Sequence, residues 1–488
     1  MHYQIKSNIL FRNYRTFGYI SDNRNFSYKK LCDNNSVIGD EIVSETGTIF
    51  LSALSRQPKE ISEIVYDIMK HISDVEYDII YNDAMEFYDL LQKAGFVVSG
   101  KTWEECFQSN INSIITTIRK VDNCSVVLNS KNQLDTQDFF KNYFGNKPLL
   151  RSLHIEITSV CNERCIHCYI PHEYKIHHMN LELFNKIIDE SIEMNVLNFT
   201  LTGGEPLLHP NFLEMIKRCK EKNISLNILT NLTLVSEEIV LELRANPLIS
   251  IQTSLYSIDP AIHDEITRVK GSCDLTKKAI KCFVDNNINL QISCPIIKQN
   301  SHCYLEVIEW AKTININVSS DFNLLGKYNS DTENLKCRLD LEDVSEIINT
   351  LIVTNKTDVE REVEERKTLT LDDPICSVCR YSFCISEKGN VYPCAGWQSF
   401  VLGNLYQSRL NDIWYESNEI NYLRNLKIND FNICANCNDR DYCSICMARN
   451  ANENALQDPM KVNEYHCDIA RVKREMLMKK NNLTTAST

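Results

Sequence analysis

Cys161-Asn162-Glu163-Arg164-Cys165-Ile166-His167-Cys168, directly behind the apolar run 153–158, is the stretch from which the fold can be read. Three thiols within eight residues can occupy three corners of an iron-sulfur cube and leave the fourth iron open to a small molecule. A structural zinc site closes four ligands instead. No obvious fourth ligand follows here, although His167 stands as a candidate, so spacing alone leaves zinc open. Outward from this triplet the chain alternates between two periods. Residues 153–158, 196–202, 225–231, 249–255, 289–297 and 316–325 predict strands, and 179–194, 211–222, 235–244, 274–286 and 303–313 predict helices between them. Six such units make an α/β fold with a parallel sheet, either a partial barrel or a doubly wound sheet. Such folds collect their chemistry behind the C-terminal ends of strands, where the triplet falls.

The 488 residues allow two to four domains. Lys plus Arg is 52 and Asp plus Glu is 65, a balance of −13 that argues against a general binder of nucleic-acid backbones. No apolar run approaches a membrane span, and Met1-His2-Tyr3-Gln4-Ile5-Lys6 lacks the layout of a signal peptide. The expectation is a cytoplasmic protein with neither membrane nor nucleic acid as partner. In that reducing setting 21 cysteines are free thiols or metal ligands. Three lie within 161–168 and nine within 376–467, and such clustering points to metal.

Gly203-Gly204-Glu205-Pro206 follows the second strand. In isolation it is a tight turn. Placed one strand after C-x-x-x-C-x-x-C, it resembles the radical S-adenosylmethionine (radical SAM) superfamily across roughly residues 150–325. The resemblance implies a partial (β/α)6 TIM-like barrel whose open-site 4Fe-4S cluster, on Cys161, Cys165 and Cys168, binds S-adenosylmethionine. Gly203, Gly204, Glu205 and Pro206 would then receive the methionine amino group, the glycines by close backbone approach and Glu205 as an anionic acceptor. By the same resemblance Ser254 would meet the ribose, Arg268 the carboxylate, and His167 would lie near the adenine. Thr230-Asn231 sits where relatives carry Thr-Asn, but Leu232 replaces the usual Gly and leaves that pair's role open.

Cys376, Cys379, Cys384 and Cys394 precede Cys434-x2-Cys437-x5-Cys443-x2-Cys446 and a final Cys467. Knuckles of this spacing also suit a zinc ribbon. Cys379, Gly389 and Cys394 match C-x9-G-x4-C, and the series resembles the SPASM extension of radical SAM enzymes. Ser444-Ile445 is one residue shorter than that pattern before Cys446. The resemblance implies one auxiliary 4Fe-4S cluster on Cys376, Cys379, Cys394 and Cys446 and another on Cys434, Cys437, Cys443 and Cys467, three clusters in all. Cys384 stays open as a replacement for Cys376 or Cys379.

Ahead of the barrel, 11–19 and 26–28 predict a hairpin around Ser21-Asp22-Asn23-Arg24. Ile61, Ile64, Val65 and Ile68 mark a helix after Pro58, and a further helical run covers 77–93 up to Gly95. This winged-helix-like α+β module resembles the domain that captures the leader of a ribosomally made precursor peptide by strand addition. Lys6, Arg12, Arg15, Arg24, Lys29 and Lys30 against Asp22 give residues 1–30 a balance of 6 − 1 = +5, read as a basic edge for an acidic leader. Glu60, Glu63 and Asp67 speak against a DNA-reading helix. The expected organisation is leader recognition at 1–98, a bridging segment at 99–148, the barrel at 149–330, a connector at 331–373, the SPASM domain at 374–478 and a flexible tail at 479–488. As implied by these resemblances, the enzyme uses a 5′-deoxyadenosyl radical to abstract hydrogen from a core residue and closes a Cys sulfur-to-carbon thioether of the sactipeptide or ranthipeptide type. A flavodoxin or ferredoxin would supply electrons. Carbon-carbon or carbon-oxygen crosslinking and formylglycine formation on sulfatases are the alternatives within the class. An iron-sulfur or zinc regulatory protein is the alternative outside it. No catalytic side chain is identifiable.

Overall fold

The computed structural model describes residues 1–26, 39–119, 136–145, 147–354 and 356–485. Six strands run parallel, Ser152–Thr158, Asn198–Gly203, Ser225–Thr230, Ile249–Ser254, Leu290–Ser293 and Val318–Ser319, and they pair in chain order. Helices Leu181–Glu193, Phe212–Glu221, Glu237–Ala245, Ser272–Asp285 and Tyr304–Thr313 cover one face. Alternation along the first strand sends Ile155 and Ile157 into the apolar layer with Phe184, Ile187 and Ile188, and turns His154, Glu156 and Thr158 to the inner face. The fifth and sixth strands are shorter than the sequence suggests. Pro295 has no N–H to give, and beyond it the sixth segment keeps only single bonds, such as Ile296 N to Asp321 O at 2.8 Å.

The free edge of the first strand is covered from far along the chain. Ser382–Ile385 pairs with it in parallel, and Asn390–Tyr392 and Gly403–Asn404 follow antiparallel, so the cysteine-rich region extends the sheet to nine strands. No strand is expected here from the sequence, because four residues carry too little pattern to mark one. The connector is helical, Leu341–Thr354 and Lys356–Lys367. It packs on the last helix, Glu464–Thr485, through the Lys473–Glu362 ion pair at 2.9 Å. That helix passes Lys479, where the sequence suggested a frayed tail.

The N-terminal module contains two three-stranded sheets, one centred on His2–Ile5 and one on Phe17–Asp22, with helices Glu45–Ala53, Ile61–Met69 and Tyr77–Lys93. Ile61, Ile64, Val65 and Ile68 are all buried, as their spacing requires. The hairpin differs from expectation. Its strands are Ile9–Asn13 and Phe17–Asp22, turning at Tyr14–Thr16 with Arg15 left-handed at φ 71°. Ser21–Arg24 instead leads into a short 3-10 turn in which the Asp22 side chain accepts from Arg24 N. Tyr28, Lys29 and Lys30 lie outside the described residues.

Two of the six charges read as a basic edge, Arg12 and Arg24, are engaged within the chain, while Arg15 is exposed. Arg12 is 5% exposed and faces the barrel, donating from Nε to Val196 O at 3.0 Å and from a terminal nitrogen to Val196 O and Asn223 O, each at 2.8 Å. Arg24 is bound to Asp22. Asn23 reaches Pro247 O at 3.1 Å. Val196, Asn223 and Pro247 each precede a barrel strand, so the module docks at the strand starts, opposite the triplet. Helix Thr136–Phe144 seals the joint, with Phe140 packed on Tyr19 and Leu197. Arg12→Ala leaves several buried carbonyls unpaired and should cost about 2–4 kcal/mol. The check is a lowered urea midpoint together with faster proteolytic release of the N-terminal module. An unchanged midpoint would place the docking energy elsewhere.

Candidate active site

The first strand ends at Thr158, and the next residues are fixed before the cysteines begin. Ser159 N donates to His177 O at 2.9 Å, while Gly204 N donates to Thr158 O at 2.7 Å and Glu205 N to Val160 O at 2.8 Å. These last two bonds explain the paired glycines. A Cβ on Gly203 would stand 1.9 Å from Thr158 O, and one on Gly204 would stand 2.2 Å from Val160 O. Gly203 is also at φ 121°, which favours glycine. The close approach read from the sequence is therefore to the chain's own cysteine-bearing loop. Pro206 opens a 3-10 turn at its first position.

Glu205 is held by the chain itself. It is 0% exposed and both its oxygens are taken. One accepts from Leu207 N at 3.0 Å and the Thr230 hydroxyl at 2.6 Å, the other from Asn231 N at 2.7 Å. Burial raises its carboxyl to about 6, with these donors opposing. The carboxylate braces the end of the third strand, and three of its roughly four acceptor directions are taken within the chain. Thr230-Asn231 thereby gains a role. The Asn231 amide donates to Asn162 Oδ1 at 2.9 Å, and the Asn162 amide donates to the Thr233 hydroxyl at 2.7 Å, tying the cysteine loop to the third strand. Leu232, where relatives carry Gly, is held left-handed at φ 60°.

The loop's far side rests on the fourth strand's helix, with Arg164 N bonded to Thr267 O and Ile166 N to Ile266 O, each at 3.0 Å. The three thiols are brought together. Cys165 is driven well above the ordinary thiol value, first by burial and then by Glu163, Cys168 and Cys161. Burial likewise pushes Cys161 up to about 11. His167 is not aimed among the thiols. Its Nε2 lies 2.9 Å from the Tyr256 hydroxyl, the rings meet edge to face, and burial lowers it to about 4, so it stays neutral. Tyr256 was missed by sequence reasoning because no motif marks it, yet its hydroxyl also lies 4.0 Å from Cys165 Sγ. Ser254, at the end of the fourth strand, bonds the same phenol. Arg268 caps helix Pro260–Thr267 in a left-handed conformation with its side chain exposed, one residue beyond the carbonyl that holds Arg164.

The later cysteines fall into two groups. Cys394 senses Cys446, Cys376 and Cys379, and Cys376 senses Cys446. Cys434 senses Cys443, Cys467 and Cys437. The second group lines a small cavity near the start of the last helix, and Cys446 edges that cavity as well. Cys384 stands apart from Cys376 and Cys379. It is buried in the added strand opposite His154 and Tyr392, with Glu156 and Cys394 as its charged neighbours. Among the described residues no three His, Cys, Asp or Glu side chains close on one point as ligands of a single ion would. Two all-thiol quartets and one triplet without a fourth side chain suit polynuclear iron-sulfur centres.

A cavity of about 330 Å³ lies where Glu156 and Ser159 of the first strand and its loop face Ser386, Glu387, Asn390 and Tyr392 around the added strands. Glu156 borders it at 3% exposure, with one carboxyl oxygen accepting from Gln398 at 2.6 Å. Burial pushes this carboxyl up to about 8, and Glu387 adds to the shift.

A radical SAM superfamily domain matches residues 155–336, and an iron-sulfur cluster-binding SPASM domain matches residues 376–438. The bacteriocin subtilosin biosynthesis protein AlbA of Bacillus subtilis is 31% identical over 160 residues, 32% of this chain and 36% of that relative's length. Streptococcus suis SuiB bound to precursor peptide SuiA is similar in structure, with a TM-score of 0.58 and 16% identity across 95% of this chain and 100% of that one. The structure of anSMEcpe with bound AdoMet has a TM-score of 0.54 and 18% identity across 70% of this chain and 96% of that one. No described helix is long and apolar enough to cross a membrane.

Gly203→Ala should destabilise the fold by more than about 1 kcal/mol, since no L side chain fits either the space or the φ value. Urea midpoints and the iron content of anaerobic preparations test this together, and a normal value of both would show that the glycine contact is dispensable. Glu205→Gln places an amide donor against Asn231 N–H and should cost about 1–3 kcal/mol by the same measurement. Glu156 holds its proton to a higher pH folded than unfolded. Relative to Glu156→Gln, the native chain should lose stability as pH rises from the ordinary carboxyl value of 4.5 to about 8 and level off above it.

Proposed function

We propose that this radical SAM enzyme, which joins a radical SAM domain to a SPASM iron-sulfur domain, matures a ribosomally made peptide whose leader is held by the N-terminal module. The product is a crosslink within the core peptide, a cysteine sulfur-to-carbon thioether. The observation that carries this reading is the separate strand-and-helix module docked ahead of the barrel. Likeness to the peptide-bound SuiB structure extends over 95% of the chain, against 70% for anSMEcpe. AlbA, a bacteriocin biosynthesis protein, supports the same class of substrate.

Cys161, Cys165 and Cys168 would hold the cluster that binds S-adenosylmethionine. Cys376, Cys379, Cys394 and Cys446 would hold one auxiliary cluster, and Cys434, Cys437, Cys443 and Cys467 the other. When bound, the first cluster and S-adenosylmethionine supply one-electron hydrogen abstraction at an unactivated carbon. A flavodoxin or ferredoxin serves as the electron donor. The chain's own part is positional. Thr158–Val160 and Gly203–Gly204 fix the loop at the mouth of the barrel, and the Glu205, Thr230, Asn231 and Asn162 network keeps it from shifting. Neutral His167 and Tyr256 close the side facing the fourth strand. Ser254 and Arg268 lie on that same side and are the residues proposed to meet the ribose and carboxylate. The added strand Ser382–Ile385 covers the edge of the first strand and brings the cysteine-rich region against the barrel.

Anaerobic, reduced enzyme should release 5′-deoxyadenosine, and Cys161→Ala should abolish it. Co-expression with a precursor encoded nearby should remove two hydrogens per crosslink, read by mass spectrometry, and deletion of the leader should abolish the change. Modification of a leaderless peptide would favour formylglycine formation instead. Intact S-adenosylmethionine under strong reductant would overturn the assignment.

A further inference from the structure

The cavity between the cysteine loop and the added strands carries a feature that hydrogen abstraction does not use. Glu156 is 97% removed from solvent by its 3% exposure, yet its Oε1 has no hydrogen-bond partner, while the other oxygen accepts from Gln398. Alternation along the first strand points this side chain to the inner face, into the space it borders. Glu387, from the turn after the added strand, lines the same space and lies close enough to act on Glu156 electrostatically. Lys388 lines the cavity from the exposed rim, and it and His177 act on Glu387. Neither is among the groups that shift Glu156. Tyr174 and Tyr328 also line the cavity, with their rings stacked at 5.9 Å and an interplanar angle of 14°. Tyr392 is a third aromatic lining residue.

Two carboxyls in one recess with aromatic faces beside them form an acceptor set for an organic cation, which on binding favours loss of the Glu156 proton and is held by charge-assisted hydrogen bonds and by attraction to the ring faces. An N–H-bearing cation would supply both the donor that the Glu156 oxygen lacks and the positive charge that matches a pair of carboxylates, which an apolar or anionic guest would not. The volume of about 330 Å³ accommodates a long side chain. We propose that this cavity receives a basic side chain, lysine or arginine, of the peptide substrate, with Glu156 and Glu387 as the residues that select it. This rests on the peptide-maturase reading and supplies the side-chain class that the site accepts. Glu156 and Glu387 act here by recognition, and no bond-making step is assigned to them.

The test is equilibrium binding to the full-length, cluster-loaded enzyme without reductant, using Nα-acetyl-lysine methylamide, Nα-acetyl-arginine methylamide and the neutral norleucine analogue. Calorimetry or saturation-transfer NMR reads the affinity. At least one cationic probe should bind about tenfold or more tightly than norleucine, and Glu156→Gln should remove that preference while leaving the norleucine signal unchanged. Glu387→Gln, at a less buried position, should reduce the preference severalfold and decides the matter if Glu156→Gln fails to fold. Equal binding of charged and neutral probes, no detectable binding of any, or a preference untouched by the variants would overturn the proposal. Since no turnover is read, cation binding in an enzyme that fails to modify any precursor would count against the peptide-maturase reading alone.

Discussion

Everything at the mouth of this barrel depends on a backbone contact in which no side chain takes part. The amides of Gly204 and Glu205 donate to the carbonyls of Thr158 and Val160 across a gap that only glycine can leave open. Once that contact forms, the loop bearing Cys161 has a fixed starting point. Glu205 is then forced inward, where an unpaired carboxylate would be costly, and Leu207 N, Thr230 and Asn231 satisfy it. Asn231 passes the constraint on to Asn162, inside the cysteine loop itself. Three consecutive strands are thus linked at their C-terminal ends by bonds that cross between elements, and the thiols inherit their positions from them.

A second constraint comes from the open edge of the sheet. A six-stranded parallel array has an unpaired first strand, and an exposed strand edge invites unwanted pairing. Here Ser382–Ile385 fills it, so the cysteine-rich region belongs to the same sheet as the barrel. The consequence for chemistry is direct. Glu156 from the barrel and Gln398 from the later region share a hydrogen bond, and the cavity beside them has walls from both. Cys384 is absorbed into this added strand opposite His154, which accounts for a cysteine in the cluster series that lies apart from Cys376 and Cys379.

Much of this is legible in the sequence. The alternation of strand and helix follows from local periodicity, so six parallel strands could be anticipated and the triplet placed at a strand end, while periodicity left the strand order open between a partial barrel and a doubly wound sheet. Ile61, Ile64, Val65 and Ile68 marked their helix for the same reason. What escaped was non-local. The Ser382–Ile385 strand is defined by a partner some 230 residues earlier, in a register that pairs Ser382 with Ser152. Arg12 read as a surface charge because no nearby residue shows that its partners are the carbonyls of Val196 and Asn223. The motif names Glu205, but the three donors that fix it come from the following turn and the end of the next strand, which the motif does not show. Tyr256 belongs to no motif, and only folding brings it against His167.

On the proposed leader-binding role, the docking of the N-terminal module against the strand starts would set a ruler length for its guest. The first strand, seven residues at about 3.3 Å each, separates that joint from the cysteine loop by roughly 20 Å. A tethered chain must travel at least this far around the outside or through the seam, so roughly seven fully extended residues of slack are the minimum between its anchored segment and the atom that reacts. Shorter guests would remain anchored and out of reach, and longer ones could present successive positions, with the barrel's height setting which comes first.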